Sequence, residues 1–193
     1  MKEKKSFEIL VLAENNNGYI SAKEARQVGI AQQYLVLAEE AGQFIKAARG
    51  LYVKKGYPLD PYYILQFRYK KAVFSSLSAL SLHGLIEERN EICVNLPRGY
   101  LTHGIQEVYT HHVNEKEYNL GQGLAVSPNG HLVETYDIER TFIDAFRERK
   151  EWNLDMKSIF ERFKEKEFDK EKLLLYAEEL HVKEAIEAYL SLL

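Results

Sequence analysis

The chain has 193 residues, 46% of them hydrophobic and 28% charged, with only 4 prolines; that is enough for one or two domains with ordinary cores, and it excludes a disordered chain. With 26 basic against 29 acidic residues the net charge is −3, which excludes a protein that coats nucleic acid along its whole length but leaves room for a locally basic module. The single cysteine, Cys93, cannot form an internal disulfide, no stretch reaches the roughly 18 apolar residues of a bilayer span, and the charged start, Met1 to Lys5, has no long apolar run behind it. The expectation is a soluble protein of the cytosol, neither exported nor membrane-bound.

Charge is uneven along the chain. Residues 1–57 hold 9 Lys/Arg against 6 Asp/Glu, whereas 58–150 hold 10 against 12 and 151–193 hold 7 against 11. A basic first segment on an acidic body suggests an anionic partner for that segment alone. Within it, Phe7, Leu10 and Val11 fall on one face of a first helix that stops at the turn formers Asn15-Asn16-Asn17-Gly18. Ser21-Ala22-Lys23-Glu24 is a capping box opening a second, short helix, which Gly29 closes. A third helical stretch runs from about Ala31 to Ala41, with Tyr34, Ala38 and Ala41 expected inward. Two short helices across a glycine turn make a helix-turn-helix. Phe44 to Val53 then gives two extended pieces around Arg49-Gly50, the hairpin of a wing, ended by Lys54-Lys55-Gly56.

A boundary at Gly56-Tyr57-Pro58 divides the chain into a winged helix-turn-helix at 1–57 and a mixed α+β domain at 58–193, so the fold class is α+β. Asp60-Pro61 caps and starts the next helix, to about Lys71. Ser75 to His83 forms another, with Leu77, Leu80 and Leu82 inward and Gly84 as its stop. Extended stretches follow at Glu91 to Leu96, Ile105 to His112 and His131 to Tyr136, separated by Pro97-Arg98-Gly99, Gly121-Gln122-Gly123 and Pro128-Asn129-Gly130. From Asp137 onward the pattern is helical. Its stripes are Ile138, Phe142, Ala145 and Phe146; Met156, Ile159, Phe160 and Phe163 after Asp155; Leu173, Leu174, Ala177 and Leu180 after Asp169; and Val182, Ile186, Tyr189 and Leu190. Such one-sided helices should cover the small sheet and one another.

Binding double-stranded DNA needs a helix for the major groove and cations for the phosphates. The stretch Ala31 to Ala41 offers Gln32, Gln33 and Val36 outward, and a Gln amide can both donate to and accept from an adenine edge. Phosphate contacts fall to Lys23 and Arg26 on the preceding helix and to Lys46, Arg49, Lys54 and Lys55 on the wing, since no Lys or Arg lies between Arg26 and Lys46. Glu39-Glu40 opposes them. The bland reading is a winged domain used for protein contacts.

Elsewhere the chemistry is thin. His103, His111 and His112 lack convergent partners for a metal, Cys93 between Ile92 and Val94 reads as an inert buried thiol, and Gly121-Gln122-Gly123 lacks the third glycine of a dinucleotide loop. The spacing of Glu3-Lys4-Lys5 fits a nuclease motif but sits in a charged terminus. Catalysis, cofactor and metal are therefore not expected; an enzyme would need a pocket of several convergent charged groups within 58–193. Arg140 and Asp144, four apart on one helix face, are either an intrahelical ion pair or the sign of a buried Arg140 that anchors its helix or binds a partner.

Taken together, Gly29-Ile30, Arg49-Gly50-Leu51-Tyr52, Ser78-Ala79-Leu80 to His83-Gly84-Leu85, the strand end Val94 to Pro97, and Tyr136-Asp137-Ile138-Glu139-Arg140-Thr141-Phe142-Ile143-Asp144 resemble the AbiEi-type antitoxins of type IV toxin–antitoxin (abortive infection) systems. The resemblance covers nearly the whole chain. It implies a non-enzymatic bacterial protein of phage defence. A winged-helix domain would bind inverted repeats in promoter DNA and repress its own operon, and a C-terminal domain would counteract a nucleotidyltransferase toxin without a stable complex. It places Gln32, Gln33, Lys46 and Arg49 on DNA and assigns Arg140, Thr141 and Asp144 to the antitoxin domain. The recognition helix departs from many relatives in lacking basic residues. The rival is an orphan regulator or protein-interaction module without a toxin.

Overall fold

A computed structural model of the chain describes residues 2–101 and 107–191, with the side chains of residues 2–4 outside that description. His103 and the expected strand start at Ile105 lie outside the described residues. The chain divides into two compact units, Met1–Lys70 with Val126–Leu132, and Lys71–Ala125 with Val133–Leu193.

Unit 1 runs α1 (Lys2–Glu14), β1 (Tyr19–Ser21), α2 (Ala22–Gln27), α3 (Gln33–Glu40), β2 (Phe44–Ala48), β3 (Leu51–Lys54) and α4 (Pro61–Arg68). The first six elements, in this order, make a winged helix-turn-helix. The sheet is ordered β1-β3-β2 and antiparallel, with Ile20 opposite Tyr52 and Tyr19 opposite Val53. Because facing residues share a side of the pleat, one side presents Ile20, Tyr52 and Phe44 to a core with Ile9, Ala13, Ala25, Ile30, Leu35 and Ala38 from the three helices. The other side presents Tyr19, Leu51 and Val53 to Tyr63, Ile64 and Phe67 of α4. That second contact explains why α4 belongs with the wing in the folded chain, whereas the sequence suggested a cut at 57/58.

Two expected faces are corrected. In α1 the inward residues are Ile9 and Ala13, while Phe7 and Val11 are exposed and Leu10 is half-buried. Residues 7–13, FEILVLA, are so nearly all apolar that spacing alone does not select a side. In α3 the inward pair is Leu35 and Ala38; Tyr34 is only half-buried and Ala41 is exposed, because the helix ends at Glu40 and Ala41 is its C-cap.

The capping box is present. The Ser21 hydroxyl accepts from the Glu24 amide at 3.1 Å and the Glu24 carboxylate accepts from the Ser21 amide at 2.7 Å. Ser21→Ala is expected to lower the unfolding free energy by about 1 kcal/mol in a urea titration.

Unit 2 contains β4 (Val73–Phe74), α5 (Ser76–Leu82), β5 (Ile92–Pro97), β6 (Val108–Val113), α6 (Glu115–Asn119), β7 (Gln122–Val126), β8 (Leu132–Tyr136), α7 (Ile138–Glu148), α8 (Met156–Lys164), α9 (Lys170–Glu179) and α10 (Lys183–Ser191). The turn from Val126 to Leu132, between β7 and β8, is grouped with unit 1. The sheet order is β6-β5-β4-β8-β7, with β4 antiparallel to β5 and parallel to β8, and β5 parallel to β6. Thus the fold is α+β, with a helical C-terminus. The four expected stripes enter one core through Phe142, Ala145, Phe146, Met156, Ile159, Phe160, Phe163, Leu173, Ala177 and Ile186. α7 is buried beyond its apolar stripe: Glu139, Arg140, Thr141 and Asp144 are buried as well.

Candidate nucleic-acid interface and a buried charge cluster

The turn between α2 and α3 is set by local backbone chemistry. Gly29 takes φ +75°, the Gly29 amide donates to the Arg26 carbonyl at 3.0 Å and the Ile30 amide to the Ala25 carbonyl at 2.9 Å, the paired bonds of a glycine helix stop. Ile30 is then fully buried, and this fixes the angle at which α3 leaves. Leu35 and Ala38 hold α3 down, so its outward surface is Gln32, Gln33, Val36, Leu37 and Glu40. Lys23 and Arg26, three apart on α2, are both exposed.

On the wing, Lys46 and Arg49 are exposed, and a register shift between Lys46 and Ala48 bends the edge strand before the tip, where Gly50 takes φ +79°. Lys55 is exposed too. Lys54 is different. Its ammonium is paired with the Glu14 carboxylate, which also accepts from the Tyr57 hydroxyl. The Lys54 hydrogen bond holds the Glu14 carboxyl below its usual range, and the same bond holds Lys54 above its own. Lys54, expected as a free cation of the wing, is therefore already committed to Glu14.

Unit 1 is thus a helix-turn-helix with an outward α3 face, flanked by exposed cations on α2 and the wing. Residues 8–53 match the family model of the AbiEi antitoxin transcriptional regulators. The AbiEi match starts in α1 and ends in β3, so it spans the winged unit and less than half of the chain. It bears out the resemblance to AbiEi-type antitoxins, and the AbiEi description is of regulators, not of an enzyme class. Among curated proteins no match is found. No helix among the described residues is long and apolar enough to cross a membrane.

Leu37, 50% exposed on α3, is an outward apolar residue that the expected set Gln32, Gln33 and Val36 lacks; Val36 beside it is 38% exposed. The signal was present: Val36, Leu37 and Glu40 follow Gln33 at helical spacing, on the face opposite Leu35 and Ala38.

In unit 2, Arg140 is only 1% exposed. Its Nε donates to Asp144 Oδ2 at 2.9 Å, its Nη1 donates to the carbonyls of Glu117 at 2.9 Å and Leu120 at 3.0 Å, and its guanidinium lies 4.6 Å from the centre of the Tyr136 ring. It is thus both an intrahelical partner of Asp144 and a tie between α7 and the last turn of α6, whose carbonyls favour a cation. Thr141 donates to the Tyr136 carbonyl at 3.3 Å. Cys93 is buried, and burial pushes its thiol up to about 11, which suits packing rather than reactivity. His111 is half-buried and His112 exposed, and among the described residues no three His, Cys, Asp or Glu are grouped to hold a metal.

Proposed function

We propose that the protein is an antitoxin of a type IV toxin–antitoxin system that represses its own operon from promoter DNA and counteracts a nucleotidyltransferase toxin without holding it in a stable complex, in the cytoplasm. The observation that carries the regulatory half is the outward α3 face beside the exposed cations of α2 and the wing, within a segment matched to AbiEi regulators. Gln32 and Gln33 would read adenine edges, and Val36 and Leu37 would pack on thymine methyl groups, so the operator half-site would be A·T-rich. Lys23, Arg26, Lys46, Arg49 and Lys55 would meet phosphates.

Five phosphate contacts give a salt slope of about −4.5, hence an affinity loss of about five hundredfold between 50 and 200 mM salt. The test is a gel shift and footprint on the DNA upstream of the protein's own gene across that range. Lys46→Ala combined with Arg49→Ala should flatten the slope by about 2. No footprint, or an unchanged slope in the double variant, would overturn the DNA reading. Relief of growth arrest from an adjacent nucleotidyltransferase gene tests the antitoxin half separately.

A protein-contact reading is favoured by one feature, the open apolar groove of α1 and α2 lined by Phe7, Val11, Leu12 and Val28, with Phe7 67% exposed. A weak salt dependence together with an unchanged double variant would select it.

A further inference from the structure

A cleft of about 270 Å³ opens beside α7 in unit 2, lined by polar groups of β5, β6, α6 and α7. Its charges do not cancel. Arg140 and Arg147 face three carboxyls, those of Glu117, Asp144 and Glu148. Arg140 is committed to Asp144 and two carbonyls, and Arg147 Nη1 lies 3.3 Å from Asp144 Oδ1 and 3.8 Å from Glu117 Oε2. Glu148 is left over. It accepts from the Ser76 hydroxyl and has no ion pair among the described residues.

A second group in the same cleft is unmatched. Asn95 is 5% exposed; its Nδ2 donates to the Tyr136 hydroxyl at 3.3 Å, and that hydroxyl donates to the Tyr118 carbonyl at 3.2 Å. The direction of this chain leaves Asn95 Oδ1 as an acceptor with no donor among the described residues. A buried acceptor without a donor and a carboxylate without a cation are both unfavourable, and a packed apolar cluster would be more stable. Both deficits are of one kind: the cleft lacks N–H donors and one positive charge.

We propose that this cleft binds a small organic cation carrying N–H donors, a primary amine or guanidinium, which pairs with Glu148 and donates to Asn95 Oδ1. The inference goes beyond DNA binding and does not depend on it. Burial beside Asp144 pushes the Glu148 carboxyl up to about 7, so the ligand competes with a proton. The groups that act on Glu148 are Ser76 of α5, Asp144 and Arg147 of α7, and Glu151 beyond it; Cys93 of β5 feels its charge, and Glu117 of α6 and His111 of β6 share the cleft. Above pH 7 the cleft carries its extra negative charge and the cation binds; below it the carboxyl is neutral and the cation is lost.

The experiment is calorimetric titration of the full chain with agmatine and with putrescine, whose cationic groups stay charged from pH 6 to 8. 1,4-Butanediol and Mg²⁺ serve as controls. Binding should be about tenfold tighter at pH 8 than at pH 6. That dependence should persist in His111→Gln and disappear, with most of the binding, in Glu148→Gln. In wild type the Asn95 side-chain amide signals should shift on adding agmatine, a readout that needs no variant to fold. Absence of binding by both amines, equal heats from butanediol or Mg²⁺, an unchanged Glu148→Gln, or unmoved Asn95 signals would each overturn the proposal.

Discussion

Arg140→Met is expected to lower the unfolding free energy by about 3–5 kcal/mol, read from urea denaturation of the full chain by a probe in unit 2 such as Trp152 fluorescence. The guanidinium is almost wholly buried, so its removal leaves Asp144, 3% exposed, inside the fold with a charge that lacks its closest partner. The Glu117 and Leu120 carbonyls lose their donor at the same time. Arg147 stays 3.3 Å from Asp144, but its side chain is about one-third exposed, and a pair that meets water compensates weakly. Arg140→Met with Asp144→Leu should recover much of the loss, because the pair is then replaced by apolar volume. Equal losses in the single and double variants would mean that the stranded Asp144 charge is not what destabilises the single variant. A loss under 1 kcal/mol for Arg140→Met would show that the tie to α6 contributes little.

How much of this was legible beforehand follows the range of the interactions. Caps are local: Ser21, Asp60, Asp155 and Asp169 each accept from amides two or three residues on, and each was readable from a few letters. Helical stripes after Asp137 were readable for the same reason, since a polar residue between apolar ones fixes the side. The first helix lacks that contrast, and its face was misassigned. Strand β1 is three residues caught between a turn and a capping box, and it exists because Leu51, Tyr52 and Val53 lie beside it. Strand β7 begins inside Gly121-Gln122-Gly123, which reads as a separator, and helix α6 before it has no buried residue and so no apolar stripe to mark it. In the same way, Lys54 finds Glu14 across 40 positions and Arg140 finds the Glu117 carbonyl across 23, separations at which no pattern in the letters specifies a partner. The outward residues of the winged unit are readable as cations and amides; that Lys54 is already neutralised by Glu14 is not.

A third long-range link, 71 positions apart, carries the second large effect. Asp60 is fully buried, and its carboxylate caps α4 by accepting from the Tyr63 amide at 3.1 Å. Its other oxygen accepts from the Ser127 hydroxyl at 2.5 Å and from His131 Nδ1 at 2.7 Å. His131 is itself stacked on Tyr63, with ring centres 4.2 Å apart, and meets Tyr19 edge-on at 4.7 Å. Asp60→Ala removes the cap, worth about 1 kcal/mol, and strands two buried donors at about 1–3 kcal/mol each, so a total loss of about 3–7 kcal/mol is expected. Ser127→Ala should cost less, about 1–3 kcal/mol, because Asp60 keeps both the Tyr63 amide and His131 while the buried His131 amide loses the Ser127 hydroxyl. The turn at 127–131 has bonds of its own, the Ser127 amide to the His131 carbonyl at 2.8 Å and the His131 amide to the Ser127 hydroxyl at 3.0 Å. It should therefore survive as a turn while losing its attachment to α4. Hydrogen exchange separates these outcomes: in Asp60→Ala the Tyr63 amide should lose protection well before the Ser127 amide does. Equal loss at both would mean that the turn folds only when Asp60 holds it, and loss at neither would remove the carboxylate as the link.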